Sequence, residues 1–232
     1  MIGILGGMGT QASLDFCNKL AMLNRGKIDQ KYPLFILYNK SNIPGRPENL
    51  HKYNKVLKSL YTGCLLLQKN NCKFIVIPCN TAHYWYDDLQ RKIKIPIVSM
   101  PKEVWLYVKK NCKKNSKIGI LATEATLKTR VYNKFFDKNF ILINLTKSLQ
   151  IKSVNIAIKY IKMGKIKDAA KVIKPAINYL IKLKCNKIIL GCTELPIAIF
   201  AFKSFKKVKL SKIFLDPNLI LANAAMKKYK SL

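Results

Sequence analysis

Arginine is scarce in this 232-residue chain. Four of its 43 basic residues are arginines, Arg25, Arg46, Arg91 and Arg130, and the rest are lysines. Proteins that read DNA grooves and phosphates lean on arginine for bidentate contacts. Here the lysines are spread along the whole chain rather than gathered in one arm or helix, and no RNA-binding aromatic signature, basic zipper or finger spacing accompanies them. The net charge of +32 therefore reads as a solvated lysine surface, and specific nucleic-acid binding is not expected. Histidine is nearly missing, with His51 and His83 alone, and no C-x-x-C pair occurs among seven cysteines. A structural metal site is not expected on those grounds. No window approaches the roughly 18 consecutive apolar residues of a membrane helix, and no basic and apolar export segment follows Met1. The expectation is a cytoplasmic protein without a membrane partner, its thiols free rather than paired.

What the chain has is hydrophobic residues, 50% of the total, enough for a substantial core. Short apolar runs rich in Ile and Val predict strands at 2–5, 34–38, 74–77 and 96–100. A second set follows at 118–122, 140–145, 187–191 and 212–215. Continuous runs of this kind mark strands buried on both faces. Helical stripes lie between them, such as Leu57, Leu60, Tyr61, Cys64 and Leu67, and again Val172, Ile173, Ile177, Leu180 and Ile181. Alternating strand and helix predicts an α/β fold with mainly parallel sheets.

The two sets match in register. Ile118 repeats Ile2 after 116 residues, while Cys185 repeats Cys72 and Cys192 repeats Cys79, each after 113. "CKFIVIPCNT" thus overlays "CNKIILGCTE", which predicts two similar lobes. Ligands of open α/β sheets bind beyond the carboxyl ends of the strands, and there each lobe's third strand presents a cysteine. Facing lobes would set Cys79 and Cys192 on opposite sides of one cleft.

Five cysteines have ordinary packing explanations: Cys17 and Cys64 on amphipathic helices, Cys72 and Cys185 ahead of strands, and Cys112 in a polar stretch. Cys79 and Cys192 differ because hydrogen-bonding residues follow each, Asn80 and Thr81 in one case, Thr193 and Glu194 in the other. A helix starting there would offer free N–H groups to a carboxylate and favour a thiolate. The glycine-rich start "GILGGMG" lacks the order of either phosphate-loop motif. Gly7, Met8 and Gly9 are read instead as a loop that lets backbone approach a small anion. Arg46, in the loop "SNIPGRPEN", could fork a carboxylate as lysine cannot, or stand as a solvated loop charge. His83 is open to an acid/base role or to packing.

Together "GILGGMG", "PCNTAH" at 78–83, "GILAT" at 119–123 and "GCTELP" at 191–196 resemble the aspartate/glutamate racemase superfamily, and within it the aspartate racemase branch. The resemblance spans essentially the whole chain. It implies a cofactor-independent homodimeric enzyme with two pseudo-symmetric α/β lobes, each a mainly parallel four-stranded sheet flanked by helices, and an active site in the cleft between them. The lobes would be 1–99 with 211–232, and 100–210. It also implies Cys79 and Cys192 as the acid/base thiols acting on L- and D-aspartate. Asn80, Thr81, Thr123 and Thr193 would hold the α-carboxylate and amino group, and Arg46 and Lys162 the side-chain carboxylate, with Lys159 and Lys165 near Lys162. Glu194 stands where glutamate racemases carry histidine, and the first loop lacks their acidic residue and serine, so glutamate is the less expected substrate. Thr10 departs from the proline common in that loop, and Glu124 from the small polar residue usual after Thr123. Superfamily isomerases and decarboxylases, some of which use one thiol, and a basic nucleic-acid-binding protein are the alternatives.

Overall fold

The computed structural model describes residues 1–23, 28–201 and 212–232. All eight predicted strands are present: β1 Ile2–Gly6, β2 Phe35–Asn39, β3 Phe74–Val76, β4 Ile97–Val98, β5 Ser116–Ala122, β6 Phe140–Ile143, β7 Lys187–Gly191 and β8 Phe214–Leu215. They form two four-stranded sheets with the same order, β2-β1-β3-β4 and β6-β5-β7-β8, and every pairing is parallel. Two parallel sheets flanked by helices match the predicted α/β class, and the duplicated order shows the repeat at the level of the fold.

The chain forms two compact units, Met1–Val104 with Asn218–Leu232, and Trp105–Pro217. They change over inside the helix Met100–Asn111. The expected boundary at 210/211 lies outside the described residues.

In the first unit, alternation along the strands explains the unbroken apolar runs. Ile2, Ile4, Phe74 and Val76 face one layer, with Phe16 and Leu20 of helix Thr10–Leu23 and Leu221, Ala222 and Ala225 of helix Pro217–Lys230. Leu5, Ile75 and Ile77 face the other, with Val56, Leu60 and Leu67 of helix Tyr53–Lys69. Cys79 continues the second set. The expectation of burial on both faces fails for β2 and β6, two of the edge strands, which are only partly covered. The stripe through Val172 and Ile181 is not one helix but two, Ile166–Val172 and Lys174–Lys182. Pro175, without an N–H, sits in the first turn of the second.

The repeat reaches into packing detail. A Cβ on Gly3 would meet Cys72 Sγ at 3.1 Å and Leu67 Cβ at 3.2 Å, and one on Gly119 would meet Leu180 Cδ1 at 2.8 Å and Cys185 Sγ at 3.3 Å. In each sheet, a bare glycine on the first strand makes room for the cysteine that leads into the third.

Candidate active site

In the first unit the site begins where β3 ends. Cys79 N–H donates to the Ile77 carbonyl over 2.7 Å, so the chain leaves the sheet in a three-residue turn across Pro78. A 3-10 turn, Thr81–Trp85, and the helix Tyr86–Lys92 follow. Cys79 is 6% exposed, and Asn80 and Thr81 are buried beside it.

His83 has a structural part. Its Nε2 accepts from Met100 N–H at 3.0 Å, which leaves Nδ1 to donate to the Cys79 carbonyl at 2.9 Å. Burial pushes its pKa down to about 4. The neutral ring, with both nitrogens engaged, pins the Cys79 backbone to the start of the helix Met100–Asn111. The packing alternative is therefore the one realised.

Gly7 owes its place to a close approach. At φ +88°, a Cβ there would lie 2.3 Å from the Lys40 carbonyl carbon. Its N–H donates to Ser13 Oγ at 3.1 Å, and Ser13 Oγ donates to the Gly9 carbonyl at 2.9 Å. The Gly7 amide is thus engaged within the protein. Met8 is buried. Ser13 was missed by sequence reasoning, since a serine one turn into a helix carries no distinctive signal.

Gly7 packs on Lys40 and Ser41, and the chain runs on from there into the loop of Arg46. The Arg46 guanidinium donates through Nη1 to the carbonyls of Ile43 at 3.4 Å and Pro44 at 3.1 Å. Its Nε is buried and has no hydrogen-bond partner among the described residues. One edge of the fork is held by the loop, and the charge is not matched by a carboxylate among the described residues.

In the second unit the equivalent strand β7 ends at Gly191, paired with Ala122 of β5. A turn through Cys192, Thr193 and Glu194 leads into the helix Leu195–Ala201. Cys192 is 6% exposed, and its thiol donates to Glu194 Oε2 at 3.0 Å. Thr193 Oγ1 donates to the same oxygen at 3.4 Å. Burial and the adjacent Glu194 carboxylate hold the Cys192 thiol well above its ordinary pKa, while the Lys162 ammonium pulls it down. Lys162 is exposed at the end of helix Ile156–Lys162. Lys165 lies instead over the Tyr160 ring, 6.0 Å from its centre.

Thr123 follows β5 and caps the helix Glu124–Lys128, accepting from Thr126 N–H at 3.2 Å. Glu124 is exposed and accepts from Asn155 Nδ2 at 2.6 Å. Thus Thr123, Cys192, Thr193 and Glu194 gather at the carboxyl end of the second sheet, and the Lys162 charge reaches Cys192. Gly7, Met8, Gly9, Cys79, Asn80 and Thr81 follow strand ends of the first. A cavity of about 270 Å³, lined by Arg130, Asn133 and Asn144 among others, holds none of these residues. Among the described residues, no three His, Cys, Asp or Glu side chains gather as metal ligands would, and no helix is long and apolar enough to cross a membrane.

Two α/β units, each with a parallel sheet of the same strand order and a buried thiol soon after its third strand, define a duplicated α/β protein. The chain belongs to the Asp/Glu/Hydantoin racemase family, whose model matches residues 5–225. It resembles the solved Picrophilus torridus aspartate racemase, at 28% identity and a TM-score of 0.83, over 99% of this chain and 94% of that one. Among curated proteins it is similar to the broad specificity amino-acid racemase RacX of Bacillus subtilis, 29% identical over 60% of this chain and 61% of that one. It is also similar to the glutamate racemase of Sulfurihydrogenibium, 30% identical over 72% of this chain and 63% of the relative. The match thus spans under two thirds of the length of these two curated relatives.

Proposed function

We propose that the protein is an amino-acid racemase that interconverts L- and D-aspartate without a cofactor, with Cys79 and Cys192 as its two acid/base thiols. The observation that carries this reading is the Cys192–Glu194 pair, a buried thiol hydrogen-bonded to a buried carboxylate, at the strand position that Cys79 occupies in the other unit. A thiol whose pKa lies well above neutral is protonated at rest and suited to give a proton.

The reaction removes the α-proton from one face of the substrate and returns one to the other. In one direction the Cys79 thiolate takes the α-proton, leaving the electron pair on the α-carbon, and the Cys192 thiol protonates the opposite face. In the reverse direction the roles exchange, and Glu194 is placed to relieve Cys192 of its proton. The mechanism requires the thiols to flank the α-carbon. The carbanion is stabilised by donors fixed around the α-carboxylate, for which Asn80, Thr81, Thr123 and Thr193 are the candidates, and by exclusion of water. Arg46, held on one edge and without a carboxylate partner, suits the distal carboxylate, with Lys162 assisting. The Picrophilus torridus relative supports aspartate as the substrate. The Bacillus subtilis relative supports a broader range as the second reading.

The test is to purify Cys79→Ser and Cys192→Ser and to follow α-deuterium exchange and racemisation of aspartate with no cofactor added. Loss of racemisation in both is expected, and full activity in either overturns the two-thiol assignment. A screen of acidic and neutral amino acids decides between aspartate and a broad range. The same reading makes the protein a cytoplasmic homodimer, which a solution mass of one chain would overturn.

A further inference from the structure

Gln150 stands apart from everything assigned above. It opens a π-helical turn, Gln150–Asn155, after the short helix Lys147–Leu149, and it is 6% exposed. Its Nε2 donates both hydrogens: one to the Ala122 carbonyl at 2.9 Å, the other to Asn155 Oδ1 at 2.8 Å. Asn155 Nδ2 in turn donates to the Glu124 carboxylate at 2.6 Å. These bonds settle which end of the Gln150 amide is which. They leave Oε1 buried and without a hydrogen-bond partner among the described residues.

Its place is as informative as its lack of a partner. Ala122 is the last residue of β5 and pairs with Gly191, the residue before Cys192. Adjacent strands run about 5 Å apart, so the Gln150 amide is anchored one strand away from the root of the Cys192 turn. Val154, on the same π-helical turn, shares a packed cluster with Cys192 and Leu195. A buried oxygen left without a donor loses the hydrogen bond that water would give it. The hydrogen-bond chain ending on a carboxylate also polarises the amide, which makes Oε1 a stronger acceptor. An acceptor with these properties suits a cationic donor.

We infer that Gln150 Oε1 accepts a hydrogen bond from the α-ammonium group of the amino-acid substrate. Asn155 and Glu124 are then positioning residues that fix the orientation of the amide. The inference rests on the racemase reading for its ligand but not on which thiol does what.

Aspartate and succinate test it, since they differ only in the ammonium group. Calorimetric titration of Gln150→Met should show aspartate weakened about 10- to 100-fold, the range for a hydrogen bond to a charged group, and succinate changed less than about twofold. Equal weakening of both ligands, or of neither, overturns the inference and assigns Gln150 to structure alone. In the wild-type protein, the ¹³Cδ resonance of Gln150 should shift with aspartate and not with succinate, and the reverse result also overturns it. If the wild type racemises another amino acid instead, the aspartate reading fails separately. The same comparison is then made with that amino acid and its desamino acid.

Discussion

The Cys192 thiol donates to the Glu194 carboxylate across 3.0 Å, with both side chains buried. Removing that negative charge removes a cause of the thiol's raised pKa, while burial remains. In Glu194→Gln, the pH midpoint for alkylation of Cys192 by iodoacetamide should move to lower pH than in the wild type. Racemisation should fall about 10- to 100-fold as the proton acceptor beside the thiol is lost. An unchanged alkylation midpoint would show that the carboxylate does not act on the thiol.

His83 makes stability depend on pH in a window set by its own titration. Its pKa is about 4 in the folded protein against 6.5 for the free group. Being lowered, it favours folding fully above about 6.5, and the advantage is lost as pH falls toward 4, because only the unfolded chain takes up the proton. Each unit of pH within the window costs at most about 1.4 kcal/mol for this one proton. Urea denaturation at pH 7.0 and 5.0 should show the wild type losing about 2 kcal/mol. His83→Gln, less stable at pH 7.0, should lose distinctly less between the two. Equal slopes would place the acid sensitivity elsewhere.

Arg46→Lys separates recognition from loop support. Lysine keeps the charge but not the fork, nor the fixed donation to the Ile43 and Pro44 carbonyls. If the guanidinium holds the distal carboxylate, KM for aspartate should rise about 10-fold or more, with the thermal midpoint little changed. A lowered midpoint with unaltered KM would make Arg46 a loop brace.

The contrast between Cys79 and Gln150 shows what was legible in the sequence. Burial on both faces writes Phe74–Ile77 and Ile188–Leu190 as plain apolar runs. The repeat of 113 residues then lifts Cys79 and Cys192 out of a field of seven cysteines. Strands, sheet parallelism and thiol positions are therefore local or repetitive signals. The break at Pro175 was visible in principle, because a proline inside an apolar stripe ends or restarts a helix. Gln150 was not visible: its importance comes from the Ala122 carbonyl, 28 residues away, and no local rule marks one glutamine in "TKSLQIKSVN". Glu194 stood out in the sequence by following Cys192 and Thr193, but its bond to that thiol depends on how the turn folds back. His83 likewise depends on Met100, 17 residues on.

Gly7 gives the sharpest prediction from backbone geometry. At φ +88°, a side chain is strained whatever the space around it, and a Cβ would in addition stand 2.3 Å from the Lys40 carbonyl carbon and 2.6 Å from Ser41 N. Backbone cannot give way as a flexible side chain can. Gly7→Ala should therefore lose about 2–5 kcal/mol, from left-handed strain of about 1–2 kcal/mol and overpacking of about 1–3 kcal/mol. The damage should also reach function, because Lys40 and Ser41 begin the loop that carries Arg46. A Gly7→Ala protein that still folds should show a KM for aspartate raised in the same direction as Arg46→Lys. Gly164 is the control: it too has positive φ, +74°, but a Cβ there meets nothing within 4 Å. Gly164→Ala should show the strain alone, about 1–2 kcal/mol. Equal losses at the two glycines would mean that the Lys40–Ser41 segment yields, and that Gly7 is needed for its φ and not for the close approach.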